Sequence, residues 1–371
     1  MDRVLVYGLK DPVGGVEQVV MNYIRQIVEK HDLRFDLLVF GDSFSQKEAY
    51  NRLGCRVLYV PIRRKDPAGY RKRIAQIFAE NRYCAIWCNF SGLTNIDLLV
   101  LGKKYGVPVR IAHSHASRLY WGSPLMKYAV PVLHGVNSLR LEKFATDYWT
   151  CSDKAGAFMF PEKVQHRVKT ICNAVDTGVL CPDPEKRMQM RGELGIGEKT
   201  CVVGHVARMC AVKNQPFLLR VAAEMVRINP DTKLLLVGDG ETRGELEALA
   251  DKLHLKNHVI FTGERKDVPD LLRAMDVFAL PSFSEGLSLS AVEAQACGLP
   301  CVVSDGISRQ TDVTGNMTFL ALESGSEKWA REILCRAGSF TKDPQKKLAE
   351  RGYDIVSASD ELCRRFLGEK V

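Results

Sequence analysis

The sequence predicts an α/β protein with two doubly wound parallel sheets, each in a domain of its own. Short apolar segments of strand length alternate with helical segments in the first half of the chain, and this alternation starts again in the second half. The length of 371 residues also exceeds what one hydrophobic core usually holds. We therefore expect two Rossmann-like domains that face each other across a cleft.

The first predicted domain covers residues 1–172. Its candidate strands are short runs rich in branched aliphatic and aromatic side chains, which is typical of strands buried on both faces of a parallel sheet. They cover residues 3–8, 34–40, 55–60, 84–89, 109–114, 148–152 and 168–172. A polar stretch with prolines, residues 176–199, is predicted to separate this domain from the next.

The second predicted domain covers residues 177–354 and repeats the pattern. Its candidate strands are residues 201–206, 233–237, 259–261, 277–280 and 301–304. Open α/β sheets bind their ligands at the carboxyl ends of the strands. We therefore expect functional residues in the loops that follow these strands.

The composition limits the possible function classes. Hydrophobic residues make up 46% of the chain and charged residues 26%, as in ordinary globular proteins. No signal-peptide pattern opens the sequence, and no run approaches the ~18 apolar residues of a membrane span, so we expect a soluble, cytoplasmic protein. The twelve cysteines include no C-x-x-C pair, which predicts reduced core residues rather than a zinc or redox site.

Positive charge is concentrated in the first half of the chain. Residues 1–176 carry 26 Lys and Arg against 16 Asp and Glu, whereas residues 177–371 carry 26 against 28. A basic run within residues 63–73 and an acid-free apolar run at 121–133 would together suit an anionic membrane surface, such as the inner face of the cell membrane. A solvated helix face beside a buried helix is the alternative. No nucleic-acid-binding module is recognisable, so we do not expect a nucleic-acid partner.

The most informative motif is a glycine loop that opens a helix after the strand at residues 277–280. Glu285 precedes the turn at Gly286, and Glu293 lies about two turns inside the helix. The unpaired N–H groups at the start of such a helix can hold phosphate oxygens without any side chain. The residues at the start of this helix are Gly286, Leu287, Ser288, Leu289 and Ser290.

The spacing of the two glutamates indicates a long ligand. At a rise of ~1.5 Å per residue, eight helical positions separate Glu285 from Glu293 by roughly 12 Å, whereas the two carboxylates of a retaining hydrolase lie about 5 Å apart. Each carboxylate would instead bind hydroxyl groups at one end of a ligand that carries phosphate in its middle. A nucleotide sugar has this composition. The alternative is one solvated loop residue and one charge on a helix surface.

Two cations follow another strand of the second domain. Arg208 and Lys213 lie five positions apart in the loop after residues 201–206. Gly238 and Gly240 form a G-x-G turn after the next strand, but position 243 is Arg where the dinucleotide fingerprint requires a third glycine. The sequence therefore argues against a dehydrogenase.

These motifs resemble the signature of the retaining family-4 glycosyltransferases of the GT-B fold, in particular their bacterial capsular and exopolysaccharide branch. The family's Glu-x7-Glu element matches Glu285 and Glu293, and further matches lie in order along nearly the whole chain. At the domain junction, Ala174 stands where the family usually has Gly. The resemblance implies that the last helix, within residues 355–371, crosses back onto the first domain.

The resemblance also implies roles for residues of the second domain. Glu285 would contact the transferred sugar and Glu293 the ribose, while Arg208 and Lys213 would clamp the diphosphate of the donor. Fixed cations at this place stabilise the departing diphosphate more in the transition state than in the ground state. Arg265, in the loop after residues 259–261, would either line the nucleotide base or face solvent.

In the first domain, the resemblance implies two further contacts with the donor. Gly14 and Gly15 open a helix, and the family's corresponding glycine loop borders the donor phosphate; a tight turn is the alternative. His115, which closes the strand at 109–114, would touch the donor sugar, with His113 on the same strand face as second choice. A hydrogen-bonded structural histidine is the alternative for both, and a zinc site would lack further ligands.

The implied activity is retaining transfer of a hexosyl or N-acetylhexosaminyl unit from a nucleoside-diphosphate sugar, expected to be UDP-linked, to a glycan or lipid-linked oligosaccharide. No carboxylate is placed as a nucleophile, so we expect the family's same-face mechanism. We expect no metal and no cofactor, because the two cations take the place of a metal and no D-x-D motif is present. The alternatives are a nucleotide-sugar 2-epimerase and a non-catalytic nucleotide-sugar-binding partner protein.

Overall fold

The predicted fold class is confirmed by a computed structural model, which describes residues 2–11, 14–116, 119 and 126–369. The chain divides into two compact units. The N-terminal unit comprises Met1–Ala174 and Ile355–Val371, and the C-terminal unit comprises Val175–Asp354. Each unit is built around one sheet whose strands pair in parallel.

Among its described residues, the N-terminal unit contains seven strands and, before the chain leaves it, six α-helices. Its strands are β1 (Asp2–Tyr7), β2 (Leu33–Phe40), β3 (Arg56–Val60), β4 (Ala85–Phe90), β5 (Val109–Ser114), β6 (Asp147–Thr150) and β7 (Val168–Thr170). Its helices are α1 (Gly15–Lys30), α2 (Lys47–Arg52), α3 (Pro67–Glu80), α4 (Asp97–Lys104), α5 (Met126–Arg140) and α6 (Asp153–Met159). The strand order is β3-β2-β1-β4-β5-β6-β7, so the chain winds outward from β1 in both directions.

The C-terminal unit repeats this plan with a six-stranded sheet. Its strands are β8 (Cys201–Val206), β9 (Thr232–Val237), β10 (Val259–Gly263), β11 (Val277–Leu280), β12 (Cys301–Ser304) and β13 (Met317–Leu320). Its helices are α7 (Pro184–Glu193), α8 (Gln215–Ile228), α9 (Arg243–Lys252), α10 (Val268–Ala274), α11 (Leu289–Ala296), α12 (Ser326–Arg336) and α13 (Pro344–Glu350). The strand order is β10-β9-β8-β11-β12-β13, which places β8, β11 and β12 side by side.

The last helix, α14 (Ile355–Phe366), packs in the N-terminal unit. Its Asp360 carboxylate lies 2.9 Å from Nε2 of His31, which follows α1. The ring of Phe366 is buried and lies 5.9 Å from the ring centroid of Phe35 and 5.4 Å from that of Trp87. Helix α14 therefore completes the aromatic core of this unit.

The predicted strands are confirmed to within two residues at each end, but β13 was not predicted. The polar stretch at residues 176–199, predicted to separate the two domains, forms the beginning of the C-terminal unit. This stretch contains α7, whose Arg187 and Arg191 donate to the carboxylate of Asp276 at 2.5 and 3.3 Å. Because Arg191 is buried and the ion pairs are internal, the stretch is an integral layer of the C-terminal unit.

Two predictions about composition can be compared with the structure. Within the described part of the chain, no helix is both long and apolar enough to cross a membrane. None of the twelve cysteines forms a disulfide bond, and burial raises the pKa of several of them, including Cys84, Cys151 and Cys201 to about 11. The prediction that every cysteine is a core residue was wrong for Cys335, which is exposed on α12.

Candidate functional site

The candidate site is built by neighbouring loops at the carboxyl edge of the C-terminal sheet. The loop after β11 is tied to the loop after β12, because the N–H of Glu285 donates to the carbonyl of Gly306 at 3.3 Å and the N–H of Ser308 donates to that of Gly286 at 3.3 Å. It is tied to the loop after β8 by a bond from the N–H of Phe283 to the carbonyl of Val212 at 2.9 Å. Backbone hydrogen bonds therefore hold together the loops that follow β8, β11 and β12.

Lys213 and Glu285, which the sequence places in separate motifs, form an ion pair at this edge. The Nζ of Lys213 donates to Oε1 of Glu285 at 2.8 Å, and the two side chains are only 20% and 14% exposed. In partly buried surroundings such a pair is screened less by water and salt than a surface pair. The structure thus joins the predicted diphosphate cation to the predicted sugar-binding carboxylate.

Two buried serines, which sequence reasoning missed, support this carboxylate. The hydroxyl of Ser282 donates to the same oxygen of Glu285 that receives the Lys213 bond. The hydroxyl of Ser304, at the end of β12, donates in turn to the main-chain carbonyl of Ser282. Both serines are completely buried, so they hold the Glu285 carboxylate in one orientation. Their only sequence signal was a hydroxyl at the end of an apolar strand.

Arg208 is not part of the ion pair. Its guanidinium lies 3.1 Å from the carboxylate of Glu241, and both side chains are exposed. Its carbonyl accepts a bond from the side-chain amide of the buried Gln215 at 3.0 Å, which fixes the loop backbone but leaves the side chain at the surface. Of the two predicted diphosphate cations, the structure therefore brings only Lys213 to Glu285.

The loop that carries both cations rests on the glycine turn after β9. A Cβ atom at Gly238 would lie 2.2 Å from the carbonyl oxygen of Ala207, and one at Gly240 would lie 2.2 Å from that of Met209. The N–H of Met209 also donates to the carbonyl of Asp239 at 2.8 Å. The two glycines are therefore required for close contact between two backbones rather than for a dinucleotide.

The predicted phosphate seat is the N-terminus of α11. Ser288 is its N-cap residue but makes no side-chain capping bond; its hydroxyl instead lies 3.4 Å from that of Ser290. The Ser288 side chain thus does not cap this helix start, and a helix N-terminus attracts anions. The predicted phosphate-binding residues at this start are Gly286, Leu287, Ser288 and Leu289.

Glu293 lies inside α11, two turns from this start. Burial raises the pKa of its carboxyl group to about 7. The neighbouring Gln295 is completely buried, and its side-chain oxygen accepts bonds from the N–H groups of Val313 at 2.8 Å and Thr314 at 3.0 Å. Gln295, which sequence reasoning missed, therefore anchors α11 to the segment after β12.

Arg265 is engaged by its own loop. Its guanidinium binds both carboxylate oxygens of Asp267, at 2.7 and 2.5 Å. Asp267 occupies the N-cap position of α10, but its side chain makes no capping bond because the carboxylate faces Arg265 instead. This ion pair holds the pKa of Asp267 below its usual range.

In the N-terminal unit, His115 and His113 lie in contact at the end of β5, with ring centroids 4.0 Å apart. Nε2 of His115 lies 2.8 Å from Oδ1 of Asn89, and an amide oxygen only accepts, so this nitrogen carries the hydrogen. Nδ1 of His115 remains an acceptor. Because burial lowers its pKa to about 3, His115 is neutral at physiological pH. It would therefore accept hydrogen bonds rather than supply a charge.

His113 is less accessible than His115. It is completely buried, and its Nδ1 accepts a bond from the indole N–H of Trp87 at 3.1 Å. Its position among Trp87, Trp149 and His115 lowers its pKa well below the ordinary value. These contacts favour the structural alternative for His113.

The glycine loop before α1 is closed by Glu17, which sequence reasoning did not single out. The Glu17 carboxylate accepts bonds from the N–H groups of Lys10 and Gly14, both at 2.9 Å. A carboxylate thus already occupies the N-terminus of this helix, where the sequence predicted a phosphate at Gly14 and Gly15. The adjoining Pro12 and Val13 lie outside the described residues.

Metal-binding groups are not assembled in the described ranges. Across residues 2–11, 14–116, 119 and 126–369, no group of three or more His, Cys, Asp or Glu side chains is placed to hold an ion. The site chemistry of the described residues thus consists of one partly buried ion pair, one helix start that its N-cap side chain does not cap and one carboxyl group with a raised pKa.

Three comparisons relate the chain to known proteins. The family model of glycosyl transferases group 1 matches residues 186–334. The putative glycosyltransferase EpsF of Bacillus subtilis is 32% identical over 355 residues, which cover 92% of this chain and 90% of that protein. A GDP-mannose-dependent alpha-(1-6)-phosphatidylinositol monomannoside mannosyltransferase of Mycolicibacterium smegmatis is 28% identical over 352 residues, covering 91% and 88%.

A solved structure shares the fold of the whole chain. The crystal structure of Anabaena Alr3699/HepE in complex with UDP superposes with a TM-score of 0.79, over 99% of this chain and 100% of that one. The sequences are 21% identical, so this likeness concerns the fold alone.

Proposed function

Because the chain belongs to the glycosyl transferases group 1 family and is a glycosyltransferase, we propose that it transfers a hexosyl or N-acetylhexosaminyl unit from a UDP-linked sugar, with retention of the anomeric configuration. The acceptor is a hydroxyl group of a glycan or lipid-linked oligosaccharide in polysaccharide biosynthesis. The reaction takes place in the cytoplasm, at the inner face of the membrane. The observation that carries the proposal is the Lys213–Glu285 pair beside the uncapped start of α11.

The relatives support different parts of this proposal. The structure of HepE in complex with UDP supports a uridine nucleotide, whereas the name of the mycobacterial relative specifies GDP-mannose. The same name specifies a phosphatidylinositol mannoside acceptor, which supports an acceptor with a lipid anchor. The nucleotide base is therefore the first property to be measured.

In the proposed complex, the diphosphate lies against the N–H groups at the start of α11, and Lys213 neutralises its charge. The Glu285 carboxylate accepts bonds from hydroxyl groups of the transferred sugar, and Glu293 accepts them from the ribose. As the bond from the anomeric carbon to the diphosphate breaks, negative charge grows on the leaving oxygen. A preorganised cation and helix N-terminus stabilise this charge most in the transition state.

Retention follows if the acceptor attacks from the side of the leaving group. The bond from the acceptor oxygen to the anomeric carbon forms on the face that the diphosphate leaves, and the acceptor proton passes to the departing diphosphate oxygen. We propose that no metal is needed, because Lys213, Arg208 and the start of α11 supply the positive potential that a metal would provide. Arg208 would have to leave Glu241 to take part.

The proposal is tested in two steps. Thermal unfolding with UDP, GDP and ADP identifies the base, because a ligand at 100 times its dissociation constant stabilises the protein by about 2.7 kcal/mol. The matching sugar nucleotides are then incubated with glycan and lipid-linked acceptors, with and without EDTA, and the product's anomeric configuration is read by NMR. Release of nucleotide at the same rate without acceptor, an inverted linkage, or loss of transfer in EDTA would each contradict a stated part of the proposal.

The raised pKa of Glu293 predicts how nucleotide affinity depends on pH. The carboxylate accepts ribose hydroxyls better than the neutral acid does, so affinity for the nucleotide is expected to rise as the pH increases through about 7. The stability of the protein without nucleotide depends on pH in the opposite direction. The folded protein keeps a proton that the unfolded chain releases near the ordinary value of 4.5, so the Glu293 contribution to stability falls as the pH rises from 4.5 to about 7.

Calorimetric titration of the wild type and Glu293→Gln over this pH range measures the effect. The titration of the nucleotide's own phosphate is common to both proteins and cancels in the comparison. The variant is expected to lose the part of the pH dependence that belongs to Glu293. Parallel pH profiles for the two proteins would show that the Glu293 carboxylate does not bind the nucleotide.

A further inference from the structure

Helix α5 has an unusual distribution of side chains, because polar side chains on its buried face bind it to the rest of the N-terminal unit. Its buried residues include His134 and Asn137. Nδ1 of His134 accepts a bond from the N–H of Leu93 at 3.1 Å, and the side-chain amide of Asn137 donates to the carbonyl of Leu93 at 2.7 Å. Both bonds are buried, so α5 is fixed to the loop after β4 by specific contacts.

The opposite face of α5 is apolar and exposed. At 3.6 residues per turn, Tyr128, Val132, Val136 and Leu139 fall within an arc of about 80°. They are 76%, 66%, 50% and 65% exposed, and Leu133, which lies about 60° beyond this arc, is 45% exposed. A contiguous apolar surface of this kind marks an interaction site more often than single exposed residues do. We call these five residues the apolar face of α5.

The charges around the apolar face of α5 are predominantly positive. The helix contains no Asp or Glu, and its two charged residues, Lys127 and Arg140, are exposed near its two ends. Arg63, from the basic run predicted from the sequence, lines a cavity of about 210 Å³ together with Leu133 and Arg140. Arg64 and Lys65 follow it and are exposed.

The acidic groups nearby do not cancel these cations. Asp97 lies 3.1 Å from Arg63 and offsets the charge of that one guanidinium. Glu142, just beyond α5, is bound by Lys163. Asp66, which follows Lys65 and caps α3, offsets one further charge. Lys127, Arg140, Arg64 and Lys65 therefore form a net cationic rim beside the apolar face.

We infer that the apolar face of α5 docks onto an anionic lipid bilayer, with its apolar side chains among the acyl chains and the cationic rim at the headgroups. An interfacial helix combines these two features, and each Lys or Arg near an anionic surface strengthens the attraction. A second copy of the chain would place the same cationic rim against itself, which argues against self-association. Docking would bring the N-terminal unit to the lipid-linked acceptor proposed above, but it is argued from α5 alone and is measured without donor or acceptor.

The test is vesicle flotation of the full chain. Vesicles of phosphatidylcholine with an equal amount of phosphatidylglycerol are compared with vesicles of phosphatidylcholine only. The wild type is expected to float with the anionic vesicles and to bind the neutral ones at least about tenfold more weakly, because the cationic rim then has no partner. Absence of binding to the anionic vesicles, or equal binding to both kinds, would overturn the inference.

Two variants separate the apolar and the charged contributions. Val132→Glu with Val136→Glu is expected to weaken anionic-vesicle binding by about two orders of magnitude, and Arg64→Glu with Lys65→Glu by about one. The matched control is Met188→Glu, which introduces one glutamate at a 65% exposed apolar position of α7 and should bind like the wild type. Unchanged melting temperatures exclude misfolding of the variants.

Light scattering tests whether a second copy of the chain, and not a bilayer, covers the apolar face of α5. A wild-type dimer that Val132→Glu with Val136→Glu converts to a monomer would assign the face to a second copy and overturn the lipid inference. Because flotation needs no reaction, a protein that binds vesicles but transfers no sugar would contradict the proposed function and leave this inference standing. A protein that transfers sugar but does not bind vesicles would contradict this inference and leave the proposed function standing.

Discussion

Replacing Lys213 with alanine is expected to lower the turnover of glycosyl transfer by about two to three orders of magnitude, the usual effect of removing one preorganised group that stabilises developing negative charge. Lys213 is the only predicted cation that the structure places at Glu285, and its ammonium group lies 2.8 Å from that carboxylate. Without it, the Glu285 charge is left uncompensated beside the arriving diphosphate. Steady-state kinetics with the identified donor and acceptor measure the loss.

The control for Lys213→Ala is Lys252→Ala, which removes an exposed lysine from the end of α9 in the same unit. This control should retain wild-type turnover. Lys213→Arg keeps the charge but changes its geometry, so its turnover should lie between those of the wild type and Lys213→Ala. If Lys213→Ala turned over at a rate close to the wild type, the role of Lys213 in leaving-group stabilisation would have to be abandoned.

Replacing Gly238 with alanine is expected to destabilise the C-terminal unit by about 3 kcal/mol, because strain and overpacking occur at the same residue. Gly238 has a φ of 127°, which favours glycine, and the added Cβ would lie 2.2 Å from the carbonyl oxygen of Ala207. Relief of this clash requires movement of the loop that carries Arg208 and Lys213. Turnover is therefore expected to fall together with the melting temperature.

A second glycine close by provides the control for Gly238→Ala. Gly244 lies in α9, where an added Cβ would meet no atom within 4 Å. Gly244→Ala should leave turnover unchanged and stabilise the helix by about 0.5–1 kcal/mol, because alanine favours helix more than glycine does. Calorimetry and kinetics on both variants measure the difference. Equal stability of the two variants would mean that the 207–213 loop adapts without strain.

The fold could be predicted because its information is local. The central strands of both sheets are continuous apolar runs, and these are visible in the sequence without knowledge of their partners. β13 was missed because each of its four residues, Met317 to Leu320, is only half-buried at the edge of the sheet, so its pattern is weaker. The layer formed by α7 was missed because Arg187 and Arg191 look like solvent-exposed residues until Asp276 is found beside them.

The candidate site was predictable in its parts but not in its connections. Lys213 and Glu285 could each be identified from a loop after a strand, whereas their ion pair spans 72 positions and depends on the adjacency of β8 and β11. The sequence could not show that Glu17 would occupy the start of α1 or that Asp267 would bind Arg265. In each case a charged side chain has two partners within reach, and only the folded geometry decides between them.

The pairing of Lys213 with Glu285 also constrains how descendants of this protein can change. Loss of either side chain leaves the opposite charge without its partner in a partly buried place, so each single step is expected to reduce both catalysis and stability. Once one of the two residues has been replaced, selection no longer preserves the other. Lineages that abandon catalysis are therefore expected to lose both positions in close succession, and those that keep it to retain both.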